Sequence, residues 1–303
     1  MGKQTLLLEN VTKTIKGKEI IRGISFSVNE GEILGFLGSN GAGKSTTLRM
    51  IVGLSKPSSG RIEICGHSIT KNYVQAMSNI GCIIEGHDLY NYMSGMDNLN
   101  MLAAMSKNVK EKDIFEAVQL VGLENRINDK VSTYSLGMKQ RLGLAQALIH
   151  HPKLLILDEP TNGLDPSGIN EFRSIIKTLV KERNISVLIS SHLMSEIELL
   201  CDKVSIIKNG TILKNAVVEE LLNTQEVFWV LDDNQKGKEL LKKHWEINSE
   251  IIGEKLEASV DLSILTEINK FFLEEGLMLK FVDNKHKTLE DLFLTLTEGN
   301  KII

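Results

Sequence analysis

The residues best equipped for chemistry lie between Gly38 and Thr46. The run Gly38-Ser39-Asn40-Gly41-Ala42-Gly43-Lys44-Ser45 fits the phosphate-loop pattern, with its lysine and serine in place. Glycines let the backbone curl so that successive N–H groups face one anion. A helix starting at Lys44 adds its N-terminal partial positive charge. Lys44 is then placed to bridge the terminal phosphates of a nucleotide, and Ser45 to ligate Mg²⁺. A phosphate loop also needs a carboxylate to hold the metal. Leu154-Leu155-Ile156-Leu157-Asp158-Glu159 supplies one at the end of an apolar run. Asp158 is the expected Mg²⁺ partner, through water. Glu159 is the expected general base, polarising the attacking water.

These residues need rigid elements under them. The strand-like EILGFL precedes the glycines and the helix-like STTLRMIVGL follows, the context the motif requires. KLLILDE (153–159) and ISVLISS (185–191) are continuous apolar runs of strand length, as expected of parallel strands covered by helices on both faces. Alternation of such runs with helical patterns predicts an α/β layered fold. Residues 94 to 150 contain no such run and read as helical, so a helical subdomain, about 88–150, is expected inside a domain spanning 1–215. After Lys214 the glycine-rich punctuation ends. Residues 216–303 are expected to form a small C-terminal α/β domain, acidic by roughly six net charges from residue 221 onward. It carries no catalytic constellation, and Trp229 and Trp245 in it read as packing residues. His150 and His151, before Pro152, suit a helix end and are assigned no chemistry.

Composition narrows the function classes. The 303 residues are 42% hydrophobic and 24% charged, as in a globular protein. A net charge of -4 gives no general reason to expect nucleic-acid binding, which usually shows as a basic stripe, so no nucleic-acid partner is expected. No apolar run approaches the roughly 18 residues that cross a bilayer. MGKQTLLLEN shows no signal-peptide pattern, and Leu6 stands where a myristoylation signal needs Ser or Thr. A cytosolic chain is expected, with any membrane role exercised through a partner. The three cysteines, Cys65, Cys82 and Cys201, lack metal or redox spacing and are expected to be reduced, mostly buried thiols.

The segment YSLGMKQRLGLAQALIHHPKLLILDEPTNGLDP resembles the ATP-binding-cassette ATPases. Phosphate loop, signature segment (Ser135 to Gln140), the strand ending at Asp158 and the Gly163-Leu164-Asp165 loop follow in family order over residues 5 to 214. His192 matches the family's switch histidine. The resemblance implies a P-loop NTPase fold of the ABC nucleotide-binding type, with ATP and Mg²⁺ as cofactors. It implies that His192 contacts the γ-phosphate and the attacking water. It implies a homodimer in which Ser135 and Gly137 of one copy close on ATP held by the other. Ser135 also suits a helix N-cap on its own chemistry.

Three positions depart from the family pattern. Ile15 stands where an aromatic residue stacks on adenine. Leu136 and Met138 replace a glycine and a glutamine of the signature, while Gly137 remains. Glu85 replaces the glutamine that touches Mg²⁺ and couples to the membrane subunits. IGCIIEGHDLYNYMSGMDNL, together with the signature segment, looks like the bacitracin-resistance and lantibiotic-immunity branch. Integral membrane permease subunits are the implied partners, with a peptide substrate handled through them and the chain held at the inner face of the cell membrane. Tyr90, Tyr92, Met93 and Met96 suit either a permease contact or the core of the helical subdomain. The expected function is ATP-driven export of antimicrobial peptides. The alternatives are a general drug or sodium exporter and, outside transport, a soluble regulatory ATPase of the same superfamily.

Overall fold

The computed structural model describes residues 3–84, 86, 89–106, 109–285, 288–290 and 293. The chain divides into two compact units, residues 1–215 and 216–303. Unit one opens with a long hairpin, β1 (Gln4–Ile15) and β2 (Lys18–Asn29). Lys16 and Gly17 both have positive φ (48° and 77°), the two-residue turn that matches the strands' twist. The sequence patterning splits this region into shorter runs; the register shifts within β1, such as that between Leu8 and Val11, explain the broken alternation. Next come β3 (Ile33–Leu37), α1 (Lys44–Ile51), β4 (Ser59–Ile64), β5 (His67–Ser68), α2 (Tyr73–Met77) and β6 (Ile80–Ile83).

Three helices follow: α3 (Gly95–Ala104), α4 (Glu111–Leu120) and α5 (Leu136–Leu148). Local chemistry fixes where they start. Ser94 and Asp97 form a reciprocal capping box on α3, and Ser135 caps α5. The chain then runs through β7 (Leu154–Asp158), α6 (Pro166–Arg183), β8 (Ser186–Ser191), α7 (Met194–Leu200), β9 (Lys203–Lys208) and β10 (Thr211–Val217).

Two sheets carry this unit. One is ordered β2-β1-β4-β5 and the other β10-β9-β3-β8-β7-β6. In the larger sheet β9, β3, β8, β7 and β6 pair in parallel. Every residue of β3 and β8 is buried, as are the first four of β7, which is why these runs are apolar on both faces. Leu6, Phe26, Phe36, Leu48, Ile156 and Leu188 join one core between the sheets and α1. The parallel strands present their carboxyl ends, Leu37, Asp158 and Ser191, where ligand sites form in such sheets.

Unit two holds α8 (Val218–Asn223), β11 (Thr224–Leu231), α9 (Asn234–Trp245), β12 (Ser249–Ile252), β13 (Lys255–Asp261), α10 (Leu262–Glu274) and β14 (Leu279–Lys285). Its sheet, β12-β13-β11-β14, is antiparallel throughout, so this unit lacks the parallel crossovers of the first. Trp229 is fully buried, meets the Phe272 ring edge-on at 5.8 Å and donates Nε1–H to Asn269 Oδ1 at 2.7 Å. Trp245 stacks edge-on against Phe271 at 5.3 Å. Both tryptophans are thus packing residues. Trp229→Ala is expected to destabilise this unit by about 3–5 kcal/mol, the scale for emptying an aromatic core site. Denaturant unfolding followed by far-UV circular dichroism checks this; an unchanged midpoint would contradict it.

The cysteines depart in part from expectation. Cys201 is buried and burial pushes its thiol well above the ordinary range. Cys65 is half-buried, but Cys82 is exposed. Cys82 lies on β6, the edge strand of the larger sheet, and is the one exposed residue of that strand. No helix among the described residues is long and apolar enough to cross a membrane.

Candidate functional site

The stretch from Gly38 to Thr46 joins the end of β3 to the first turn of α1. Two of its glycines are required, Gly38 by space and Gly43 by its backbone conformation. A Cβ at Gly38 would stand 2.6 Å from the carbonyl oxygen of Ile207. At Gly43 it would stand 2.5 Å from Ile21 Cδ1, on a backbone whose φ of 114° already excludes most side chains. The loop therefore lies flush against β9 and β2. Ala42 N–H closes on Ser39 O at 3.1 Å, and Thr47 donates both N–H and Oγ1–H to Gly43 O. Ser39, Asn40 and Gly41 are exposed at the loop's crest, and Ser45 and Thr46 are half-buried.

The start of α1 is not closed by its own side chains. α3, α5 and α6 are capped by the side chains of Ser94, Ser135 and Asp165. α1 has no side-chain cap and no acid in its first turn. Its leading N–H groups and its dipole are left to an external anion.

Lys44 points back into this cradle. It is only 6% exposed, and its Nζ donates to Gly38 O at 2.7 Å and lies 3.2 Å from Glu159 Oε1. Glu159 follows directly on β7. Its φ of 47° is the left-handed region, a conformation that costs a non-glycine residue about 1 kcal/mol or more. Two bonds from its N–H hold it there, to Ser190 O at 3.1 Å and Ser190 Oγ at 3.0 Å. The other carboxylate oxygen, Oε2, lies 2.7 Å from His192 Nδ1. Asp158 Oδ1 accepts a short hydrogen bond from Ser190 Oγ–H. One serine on β8 thus steadies both acids.

The structure therefore brings the loop, Lys44, Asp158, Glu159 and His192 to one place. Ser135 and Gly137 stand elsewhere. Ser135 Oγ accepts the Met138 N–H at 3.2 Å, and the side-chain neighbour of Gly137 beyond Ser135 is Leu164, in the loop after β7. Ile15 sits at the tip of the first hairpin, 44% exposed. Glu85 lies outside the described residues. Tyr90 and Tyr92 are exposed and stack edge-on at 5.9 Å, while Met93 and Met96 are half-buried. His150 Nε2 lies 2.7 Å from Ile80 O, and His151 Nε2 lies 3.1 Å from Asp113 Oδ1. Neither touches the loop. Ser190 was not singled out by sequence reasoning. Its signal is a serine in a strand-length run, ISVLISS, whose buried hydroxyls each need a partner.

Chemically, the curled loop, the uncapped helix and a buried ammonium form a cradle for a polyphosphate. Ser45 and Asp158 are oxygen donors of the kind a hard divalent cation takes. Glu159 and His192 form a hydrogen-bonded acid–base pair beside the same lysine. Fold and site together define a phosphate-loop nucleotide-hydrolysing domain. The family model described as ABC transporter matches residues 21–162. The uncharacterized ABC transporter ATP-binding protein YhcH of Bacillus subtilis (strain 168) is 45% identical, over 99% of this chain and 98% of its own. The bacitracin transport ATP-binding protein BcrA of Bacillus licheniformis is 40% identical, over 97% of each chain. Among solved structures, cbiO1 from Clostridium perfringens, part of the ABC transporter complex cbiONQ, superposes with a TM-score of 0.68 at 27% identity. It covers 80% of this chain and 97% of its own. The chain belongs to the ABC transporter ATP-binding proteins: it binds nucleotide and hydrolyses ATP as the ATPase subunit of a transporter.

Proposed function

We propose that this chain powers the export of antimicrobial peptides of the bacitracin or lantibiotic type through integral membrane permease subunits. The observation that carries this reading is the extent of the likeness to BcrA. At 40% identity over 97% of both chains, it takes in the second unit as well as the cassette. The segment around Tyr90 and Tyr92 offers exposed aromatic surface for a permease, with Tyr92 73% exposed. The chain then works at the cytoplasmic face of the membrane, held there by its permease.

Within the site, Gly38 to Thr46 hold the phosphates through backbone N–H groups, and Lys44 exchanges Glu159 for the terminal phosphates. Ser45, and Asp158 through water, would hold Mg²⁺, which when bound would offset phosphate charge. Freed of Lys44, Glu159 accepts a proton from the attacking water, and His192 orients the carboxylate through the contact at its Nδ1. Ile15 offers an aliphatic surface to the adenine. Ser135 and Gly137 complete the site of a second copy, so ATP joins two chains and hydrolysis releases them.

Deleting the gene in its native host tests the substrate. The deleted strain is expected to become sensitive to bacitracin or to a lantibiotic, with resistance restored by the wild-type chain and not by Lys44→Ala. Unchanged inhibitory concentrations for both peptide types would overturn the assignment and leave a general drug or sodium exporter as the better reading.

A further inference from the structure

The contact between Glu159 and His192 spans two loops, one after β7 and one after β8. Neither loop is held by that contact alone. Two residues past Glu159, the buried Thr161 donates its hydroxyl to Glu196 Oε2 at 2.6 Å. Just before His192, the buried Ser191 donates its hydroxyl to the same oxygen at 3.2 Å. Ser191 Oγ in turn accepts the N–H of Leu193, just after His192, at 2.9 Å. One carboxylate oxygen therefore ties the loop bearing Glu159 to the loop bearing His192.

The carboxylate is itself anchored. Glu196 lies in the first turn of α7, next to Ile197, which is buried against Gly35 on β3. A Cβ at Gly35 would stand 2.7 Å from Ile197 Cγ2, so α7 rides directly on the strand that leads into the phosphate loop. The second oxygen, Glu196 Oε1, is shielded from solvent and has no hydrogen-bond partner among the described residues. A buried carboxylate oxygen left unpaired lowers stability. Stability alone therefore does not account for a carboxylate at this position.

We propose that Glu196 is a positioning residue for ATP hydrolysis: through Thr161 and Ser191 it fixes the spacing of Glu159 and His192. The inference rests on the reading of Glu159 as the base. Glu196 touches no reacting atom; it acts by keeping the pair within hydrogen-bond reach, where small displacements carry large penalties in rate.

Steady-state ATPase assays on the 303-residue chain test this. Glu196→Ala is expected to lower kcat by roughly 10-fold or more, with KM for ATP held within about twofold. Glu196→Gln keeps an acceptor oxygen for both hydroxyls and is expected to restore most of the rate. Thr161→Val removes one arm of the tie without touching Glu196 and is expected to lower kcat in the same way; it decides the matter should Glu196→Ala fail to fold. In single-turnover assays, adding Glu196→Ala to Glu159→Gln should cause no further loss. Wild-type kcat in Glu196→Ala and Thr161→Val, with only a lowered melting temperature, would overturn the proposal and leave a structural role. So would a Glu196→Gln variant as slow as Glu196→Ala. Failure of the underlying reading looks different: Glu159→Gln itself would then turn over ATP normally.

Discussion

Glu159→Gln is expected to slow ATP hydrolysis by roughly 10²- to 10⁴-fold, the range for removing a general base, while ATP affinity does not fall. The side chain keeps its shape, so its backbone bonds to Ser190 and the left-handed turn that aims it are undisturbed. What disappears is the carboxylate's ability to take a proton. The substitution also neutralises the partner that lies 3.2 Å from Lys44 Nζ in the resting chain. An incoming phosphate then no longer competes with Glu159 for the ammonium, so binding is expected to hold or to tighten. Phosphate release measured alongside equilibrium binding of ATP checks both halves. Ordinary turnover would remove Glu159 from its role. Weakened binding would mean that the carboxylate helps to build the cradle rather than to work beside it.

Lys44→Ala is expected to act at the opposite step. Its Nζ is buried and holds the loop closed through Gly38 O at 2.7 Å, so the ammonium needs little reorganisation to meet a phosphate oxygen. A hydrogen bond between charged groups contributes about 1.5–3 kcal/mol, which corresponds to roughly 10- to 100-fold in affinity. Removing the lysine also removes the tie between the loop and its Gly38 carbonyl, which adds to the loss. Isothermal titration calorimetry with a non-hydrolysable ATP analogue reads the change directly. Wild-type affinity would contradict the placement of the triphosphate in this loop.

The two variants separate binding from chemistry because one removes a phosphate-binding ammonium and the other a proton-accepting carboxylate. Lys44 begins a helix and Glu159 follows directly on a strand, yet both were legible in the sequence. Phosphate loops and acid-terminated strands are local patterns, set by spacing within a few residues. The parallel sheet was legible for a similar reason, since strands buried on both faces read as unbroken apolar runs. What was not legible is what depends on pairing across the chain. Ser190 serves Asp158 and Glu159 from another strand, 31 residues after Glu159. Glu196 serves Thr161 from 35 residues away. Neither has a motif of its own, because a supporting hydrogen bond constrains geometry and leaves no local spacing. In the same way, helical and strand periods could be seen after Lys214, but not the antiparallel order of β12, β13, β11 and β14.

The signature segment illustrates the remaining gap. Its Ser135 caps α5 and its glycine lies open beside Leu164, as the chain's own chemistry allows. On the proposed reading, a second copy gives that open backbone a phosphate to bind. Sedimentation velocity on the Glu159→Gln chain at saturating MgATP tests this most directly. Two chains bound together with ATP and separate without it is the predicted result; single chains under both conditions would contradict it.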